Sequence, residues 1–387
     1  MRKGVQNVPR DFKELKPAYG FDDVAITPGD VTINPEMADL STNFDGIRLD
    51  IPFIASAMDA VVDPNFAIEM TKSGGLAVMN MDGLHTRYED TTEIYEEIAA
   101  APREEATGIM QKIYSAPQQP ELIAKKVEQV KKGGGTAAVS FVPQTAKRMA
   151  PVAVEAGADM VVVQGTVVTA RHSSKSLRGL IFSELVEDID VPVLVGNTVS
   201  YEVTKELMQQ GIQGVMIGVG PGSVCTSREV LGIGIPQISA TVECAAARDD
   251  FFKETGKYIP IITDGGIRTG GDVCKSFAAG ANAVMIGSPF AKCKEAPAHG
   301  YHWGMATWHD SLPRGTRINM GTEYSLNQLL YGPSSRTDGT LNLVGALQVC
   351  MGYVGAENLR EMNKARMVYA PAIKTEGKIY QAAGLGS

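Results

Sequence analysis

The 387-residue sequence is short of several things, and each shortage removes a class of function. It has five cysteines, Cys225, Cys244, Cys274, Cys293 and Cys350, an odd number with no CxxC pair among them. That pattern argues against a disulfide framework or a zinc knuckle and reads as reduced thiols. Basic residues are outnumbered, 36 Lys and Arg against 44 Asp and Glu, giving a net charge of −8. A phosphate-backbone binder normally presents a basic face, so nucleic acid is not the expected partner. Small phosphorylated ligands stay open, because backbone N–H groups can hold them without side-chain charge. Long apolar runs are missing too: the stretch around "IPFIASAMDAVV" is broken by Asp59 and is far too short to span a bilayer. The N-terminal "MRKGVQNVPRDFKELKPAYG" carries charge throughout, so no secretory signal is expected and the expected location is the cytoplasm.

What is present is a regular series of short, β-branched runs. They are "IPFIASAM" (51–58), "LAVMN" (76–80), "TAAVSFV" (136–142), "MVVVQG" (160–165), "VPVLVGN" (191–197), "GVMIGVG" (214–220), "IPIITDG" (259–265) and "AVMIGSP" (283–289). Continuous apolar runs without alternation suit parallel strands covered on both faces. Helical patterns with cap or stop signals lie between them, as in "PNFAIEMTKSG", "TAKRMAPVAVEAGA", "SYEVTKELMQQG" and "GGDVCKSFAAGA". Eight such units predict an α/β fold, a single (β/α)8 TIM barrel over the whole chain with strands within about 51–289; a doubly wound sheet is the alternative. Residues 81–135 exceed one crossover. The polar, Gly-rich segment after residue 290 reads as a long C-terminal extension with a flap over about 300–345. "KKGGG" (131–135) reads as a helix stop, and "TTEIYEEIAAAPREE" as a solvated acidic helix face.

In barrels the C-terminal strand ends carry the chemistry. On that rim stand Ser56–Asp59, then Gly196, Asn197 and Thr198, the loop "GVGPGSVCTSREVLGIG" (218–234), Asp264–Gly266 and Gly287–Ser288. "TDGGIRTGGDV" followed by "AVMIGSPF" fits a phosphate site of the kind formed after the last two barrel strands, with Ser288 adding a hydroxyl and Asp264 placed to accept from two ribose hydroxyls. Four cysteines sit in helical or mixed patterns. Cys225 instead lies among Ser223, Thr226, Ser227 and Arg228, a setting suited to a nucleophile. His299, His302, His309 and Asp310 cluster in sequence, with the first two at helical spacing, but supply no complete metal-ligand pattern.

Four stretches together carry a resemblance: "GPGSVCTSREVLGIGIPQ" (220–237), "DGGIRTGGDVCKSFAAGANAVMIGSPFA" (264–291), "ASAMDAVVDP" (55–64) and "YHWGMAT" (301–307). In that order they resemble the IMP dehydrogenase/GMP reductase family, in its short branch without regulatory CBS modules. The resemblance implies that Cys225 attacks C2 of a purine, that Ser227 assists, and that a nicotinamide cofactor exchanges hydride with the covalent intermediate. It implies nucleotide contacts from Ser56, Met58, Ser223, Asp264, Gly265, Gly266, Gly287, Ser288, Tyr301, His302, Gly304 and Met305. It further implies potassium on Gly220, Gly222 and the Cys225 carbonyl, and a homotetramer. Asn197, Thr198, Arg171 and His172 are the cofactor candidates, the last two facing a 2′-phosphate and so favouring NADPH.

Dehydrogenases of the family use an Arg-Tyr pair in the flap, where this chain has Arg314–Gly315 and Arg317–Ile318. Their "DSSQG"-like cofactor segment is replaced by "VQGTVVTARHSS", and the 81–135 segment is too short for CBS modules. These departures favour a GMP reductase, converting GMP to IMP and ammonia with NADPH; NAD-dependent IMP dehydrogenase is the nearest rival. Reductases carry a Glu where this chain has Trp308, leaving Glu323 or His309 as substitutes. An FMN-dependent barrel oxidoreductase would need a base, and residues 221–263 hold no His. A non-catalytic purine-nucleotide sensor would have no need of Cys225.

Overall fold

The computed structural model describes residues 15–173, 179–304 and 317–378. Eight parallel strands close into a barrel: β1 (Phe53–Ala55), β2 (Leu76–Asn80), β3 (Ala138–Phe141), β4 (Met160–Gln164), β5 (Val193–Thr198), β6 (Gly214–Ile217), β7 (Ile261–Asp264) and β8 (Ala283–Ile286). They pair in chain order, and β8 closes on β1 through Val284–Phe53, Met285–Ile54 and Ile286–Ala55. The expected TIM barrel is thus formed, and closure rules out the doubly wound sheet. All eight apolar runs contain a strand.

Strand periodicity explains why the runs are apolar without alternation. Ile54, Leu76, Val78, Met160, Val162, Leu194, Met216, Ile262 and Met285 fill the barrel interior. Their neighbours Phe53, Ala77, Val161, Val195, Val215, Ile217 and Val284 pack in the larger cluster shared with the helices. Each fully buried Leu, Ile or Met contributes roughly 1.5–3 kcal/mol. A small hairpin, Thr42–Phe44 with Ile47–Leu49, sends Phe44 into the interior cluster and stoppers the N-terminal end.

The helices follow their sequence signals. α1 (Pro64–Lys72) is capped by Asp63, α4 (Pro120–Lys132) stops at Gly133, and α5 spans Pro143–Glu155. α7 (Tyr201–Met208) is capped by Ser200, which accepts from the Val203 N–H, a contact worth about 1 kcal/mol. Between β2 and α4 lie α2 (Thr92–Ala100) and α3 (Ala106–Tyr114). The acidic-face expectation holds for only part of α2, because Ile98 is fully buried in a cluster with Met110, Tyr114 and Trp303.

The C-terminal extension differs from expectation. After β9 (Tyr301–Trp303) and β10 (Arg317–Asn319), which pair antiparallel, come helices α12 (Leu326–Tyr331), α13 (Leu343–Val354) and α14 (Leu359–Met362). α13 packs on α10 (Gly270–Ala278) so closely that a Cβ at Gly270 would stand 2.4 Å from the Ala346 Cβ. The weak periodicity of 343–354 reflects a helix apolar almost all round, not an irregular segment. Among the described residues no helix is long and apolar enough to cross a membrane.

Candidate active site

The C-terminal rim surrounds a cavity of about 480 Å³. Three glycine-dependent loops build most of its wall. After β6, Gly218 and Gly220 take φ of +147° and +80°, which L side chains rarely adopt. A Cβ at Gly218 would stand 2.3 Å from the Asp264 carbonyl oxygen, so the cysteine loop can lie against β7 only with glycine there. After β7, Gly265 and Gly266 again take positive φ, 88° and 78°. After β8, Gly287 leads into the short helix Ser288–Ala291.

Cys225, Ser56, Met58, Asn197, Gly220, Gly222, Ser223, Asp264, Gly265, Gly266, Gly287, Ser288, His302 and Gly304 all line this cavity. The Cys225 thiol donates to the Ser227 hydroxyl at 3.3 Å, and Ser227 itself is buried beneath it, at the start of the short helix Ser227–Leu231. Ser223 and Ser288 place their hydroxyl oxygens 2.5 Å apart, so two loops bring two donors to one point beside the backbone of Gly287. Hydroxyls beside glycine backbone are donors of the kind that can hold a small anion.

Asp264 stands at the end of β7 with its Oδ2 held by two donors, Asn197 Nδ2 at 2.8 Å and Gln164 Nε2 at 3.0 Å. Burial pushes its carboxyl up to about 6 against those two hydrogen bonds. A carboxyl at that value is mostly ionised at neutral pH and so an acceptor. Gln164 is a site residue that sequence reading missed; it sits inside an apolar strand run, and only the last position of β4 distinguishes it. Lys292 also lines the cavity, paired with Glu323 at 2.9 Å.

Other expected residues lie elsewhere. Thr198 is buried, off the cavity wall, and its carbonyl accepts the Gly218 N–H. Tyr301 packs under the Arg317 guanidinium, 5.5 Å from its ring centre, and does not line the cavity. Arg171 and His172 are exposed and off the wall; Arg171 is paired with Glu206 of α7, a carboxylate that already holds its guanidinium. Glu323 is not poised to hold a proton: although burial raises its carboxyl, Lys292 and Arg336 pull it below its ordinary value. The helical spacing of His299 and His302 does not apply, since His302 lies on β9 and His299 in a turn at φ +47°. Among the described residues no group of three His, Cys, Asp or Glu could hold a metal. Met305, Trp308, His309, Asp310 and Arg314 lie outside the described residues.

Potassium, implied by resemblance, needs a cage of carbonyls. Here the Gly222 carbonyl accepts the Cys225 N–H at 3.1 Å. The Arg228 side chain runs between Gly220 and Gly234, and its Nη2 donates to the Ile235 carbonyl at 3.0 Å. The loop thus already holds a positive charge of its own beside Gly220, and these residues alone do not close a cage.

Against known proteins, residues 18–309 match the model of the IMP dehydrogenase/GMP reductase domain. An uncharacterized oxidoreductase of Mycolicibacterium smegmatis is 38% identical over 355 residues, covering 89% of this chain and 95% of that protein. The inosine-5′-monophosphate dehydrogenase of Cryptosporidium parvum is 29% identical over 388 residues, covering 91% of this chain and 92% of that protein. A crystal structure of an IMP dehydrogenase/GMP reductase-like protein from Corynebacterium glutamicum superposes with a TM-score of 0.87 at 33% identity, over 94% of this chain and 97% of that one. With the Cys225 loop, the Asp264 carboxylate and the Ser223–Ser288 hydroxyls gathered on one rim of the barrel, the match over three quarters of its length makes this chain a member of the IMP dehydrogenase/GMP reductase family.

Proposed function

We propose that the protein is an oxidoreductase acting at C2 of a purine nucleoside 5′-monophosphate through a covalent bond to Cys225, in the direction of an NAD-dependent IMP dehydrogenase. The observation that carries the chemistry is the position of the Cys225 thiol. It opens into the same cavity as the Ser223–Ser288 anion site and the Asp264 carboxylate. The anion site takes the 5′-phosphate, and Asp264, steadied by Gln164 and Asn197, accepts from the ribose hydroxyls. Met58 and Gly304 border the base, which brings C2 toward the sulfur. As the sulfur–C2 bond forms, the thiol proton leaves along its hydrogen bond to the Ser227 hydroxyl, which passes a proton on to solvent. A nicotinamide held beside the purine, on the Asn197 side of the cavity, would supply the acceptor for the hydride at C2. Water then adds to C2, the carbon–sulfur bond breaks and the thiol recovers its proton. The sum is IMP, NAD⁺ and water giving XMP, NADH and H⁺.

Two observations support this direction over the reductase favoured by sequence. The Cryptosporidium parvum dehydrogenase aligns over 388 positions with 92% of its length and 91% of this chain covered, so a dehydrogenase of the family can be close to this chain in length. The dehydrogenase of Methanocaldococcus jannaschii, by contrast, needs 474 positions, more than this chain's 387 residues, and so carries an insertion. Secondly, Glu323, one of the two residues that could stand in for the reductase acid, is already paired with Lys292 and Arg336. Reductive deamination of GMP with NADPH remains the second reading, favoured by the missing Arg-Tyr dipeptide.

The test mixes purified protein with IMP plus NAD and, separately, with GMP plus NADPH, following the absorbance of the reduced cofactor. Production in the first mixture alone is expected. Consumption in the second alone would reverse the direction, and silence in both would refute the reading.

A further inference from the structure

Two cavity-lining residues have sequence neighbours buried behind the wall. Met58 is followed by Asp59, fully buried, and His302 by Trp303, 1% exposed. A single hydroxyl joins the two. Tyr114 donates to Asp59 Oδ2 at 2.6 Å and accepts from Trp303 Nε1 at 2.9 Å. Tyr114 is the last residue of α3, in the segment that exceeds what a barrel crossover needs. The companion helix α2 makes a second attachment. Its terminal carbonyls, unpaired within the helix, accept from Arg317 of β10: Ile98, Ala99 at 3.4 Å and Ala101 at 2.8 Å. Both strands of the β9–β10 hairpin are therefore held by the same two helices. A third contact completes the arrangement, the Tyr95 hydroxyl of α2 donating to the Asp59 carbonyl at 2.6 Å.

We infer that the α2–α3 insertion is a brace for the nucleotide cavity, and that Tyr114 is a positioning residue that fixes Met58 and the His302–Gly304 segment relative to each other from behind. The inference rests on the function proposed above, in that the cavity takes a purine nucleotide. Its physical basis is that one oxygen satisfies two buried groups. Without it the Asp59 carboxylate keeps, among the described residues, Leu84 N at 3.0 Å and Asn80 Nδ2 at 3.4 Å, and the Trp303 N–H loses the Tyr114 acceptor. The cavity walls on the Met58 and Gly304 sides then lose their common reference. Neither Tyr114 nor Arg317 lines the cavity, so the effect falls on how well the base is held rather than on the reacting atoms.

The test uses Tyr114→Phe and Arg317→Gln in the full chain, each in a Trp308→Phe background that leaves Trp303 as the only tryptophan of the two. Tyr114→Phe, with an unchanged circular dichroism spectrum, is expected to weaken IMP binding about 10-fold by calorimetry and to raise KM by the same factor, with kcat held within about threefold. Trp303 emission is expected to shift to the red. Arg317→Gln is expected to weaken binding by about threefold. A folded Tyr114→Phe protein that binds IMP within twofold of its parent would overturn the inference; if that variant does not fold, unchanged binding by Arg317→Gln does so. If the parent binds neither IMP nor GMP, the functional reading fails on its own. Trp303 emission then still decides the brace, and an unshifted spectrum refutes it.

Discussion

The two ends of this barrel are built from the same strands and solve opposite problems. At the N-terminal end, Phe44 fills the opening with hydrocarbon. A buried polar network there is paired: Arg248 donates to the Gly280 carbonyl at 2.5 Å and to Asn282 Oδ1 at 2.8 Å, while Asn282 donates to the Tyr258 hydroxyl. At the C-terminal end the loops take left-handed glycine conformations, the Asp264 carboxyl on the cavity wall is pushed up to about 6 by burial, and His302 Nδ1, on the same wall, has no hydrogen-bond partner among the described residues. The first end is organised for stability. The second keeps a carboxylate and a ring nitrogen on the wall of a cavity, at a cost to stability.

Substitutions at the two ends should therefore separate activity from stability. The largest effect is expected from Cys225→Ala, which removes the nucleophile and should lower turnover by at least ~10³-fold with Tm nearly unchanged. Steady-state kinetics and a thermal melt check both halves. Phe44→Ala is expected to do the reverse, removing about 3–5 kcal/mol of stability in denaturant unfolding while leaving KM for the nucleotide within about twofold.

Asp264→Asn belongs to both measurements. It should weaken nucleotide binding roughly 100-fold, because an ionised acceptor for two hydroxyls is lost. It should also raise Tm at pH 7 by a few degrees. The sign follows from the raised carboxyl: with the folded value near 6 and the unfolded value 3.8, the folded state holds the extra proton between them. Stability falls as pH rises through that window, so above pH 6 the ionised group is a burden that asparagine lifts. Below about pH 4 the gain should vanish, and in the parent protein nucleotide affinity should drop as pH falls through about 6. Melts of both proteins across that range, with calorimetric titration of IMP, measure it. The smallest effect is expected from Arg171→Ala, whose exposed pairing with Glu206 is worth under about 1 kcal/mol; KM for the nicotinamide cofactor should stay within about twofold.

The same contrast explains what the sequence made legible. The eight strands were readable because each is covered on both faces, leaving uninterrupted β-branched runs. Cys225, Ser223, Asp264 and Ser288 were readable because chemistry-bearing side chains stand among glycines that the tight loops require. Gln164 was not, being one polar residue at the end of "MVVVQ" whose role depends on a carboxylate 100 residues away. The ion pairs of Arg171 and Glu323 were not legible, because their partners Glu206, Lys292 and Arg336 are distant in sequence. The α2–α3 insertion looked like a solvated face because Ile98, Tyr95 and Tyr114 meet Trp303 only in three dimensions. α13 was hidden by having no polar face to give it a period.

The central claim is the covalent bond between Cys225 and the purine. Its most direct test is acid quenching of the protein during turnover with IMP and NAD, followed by intact-mass measurement and peptide mapping. A single nucleotide-sized adduct on the peptide carrying Cys225, absent from Cys225→Ala, is the expected result. Steady turnover with no adduct at any quench time, or an adduct on another cysteine, would contradict it.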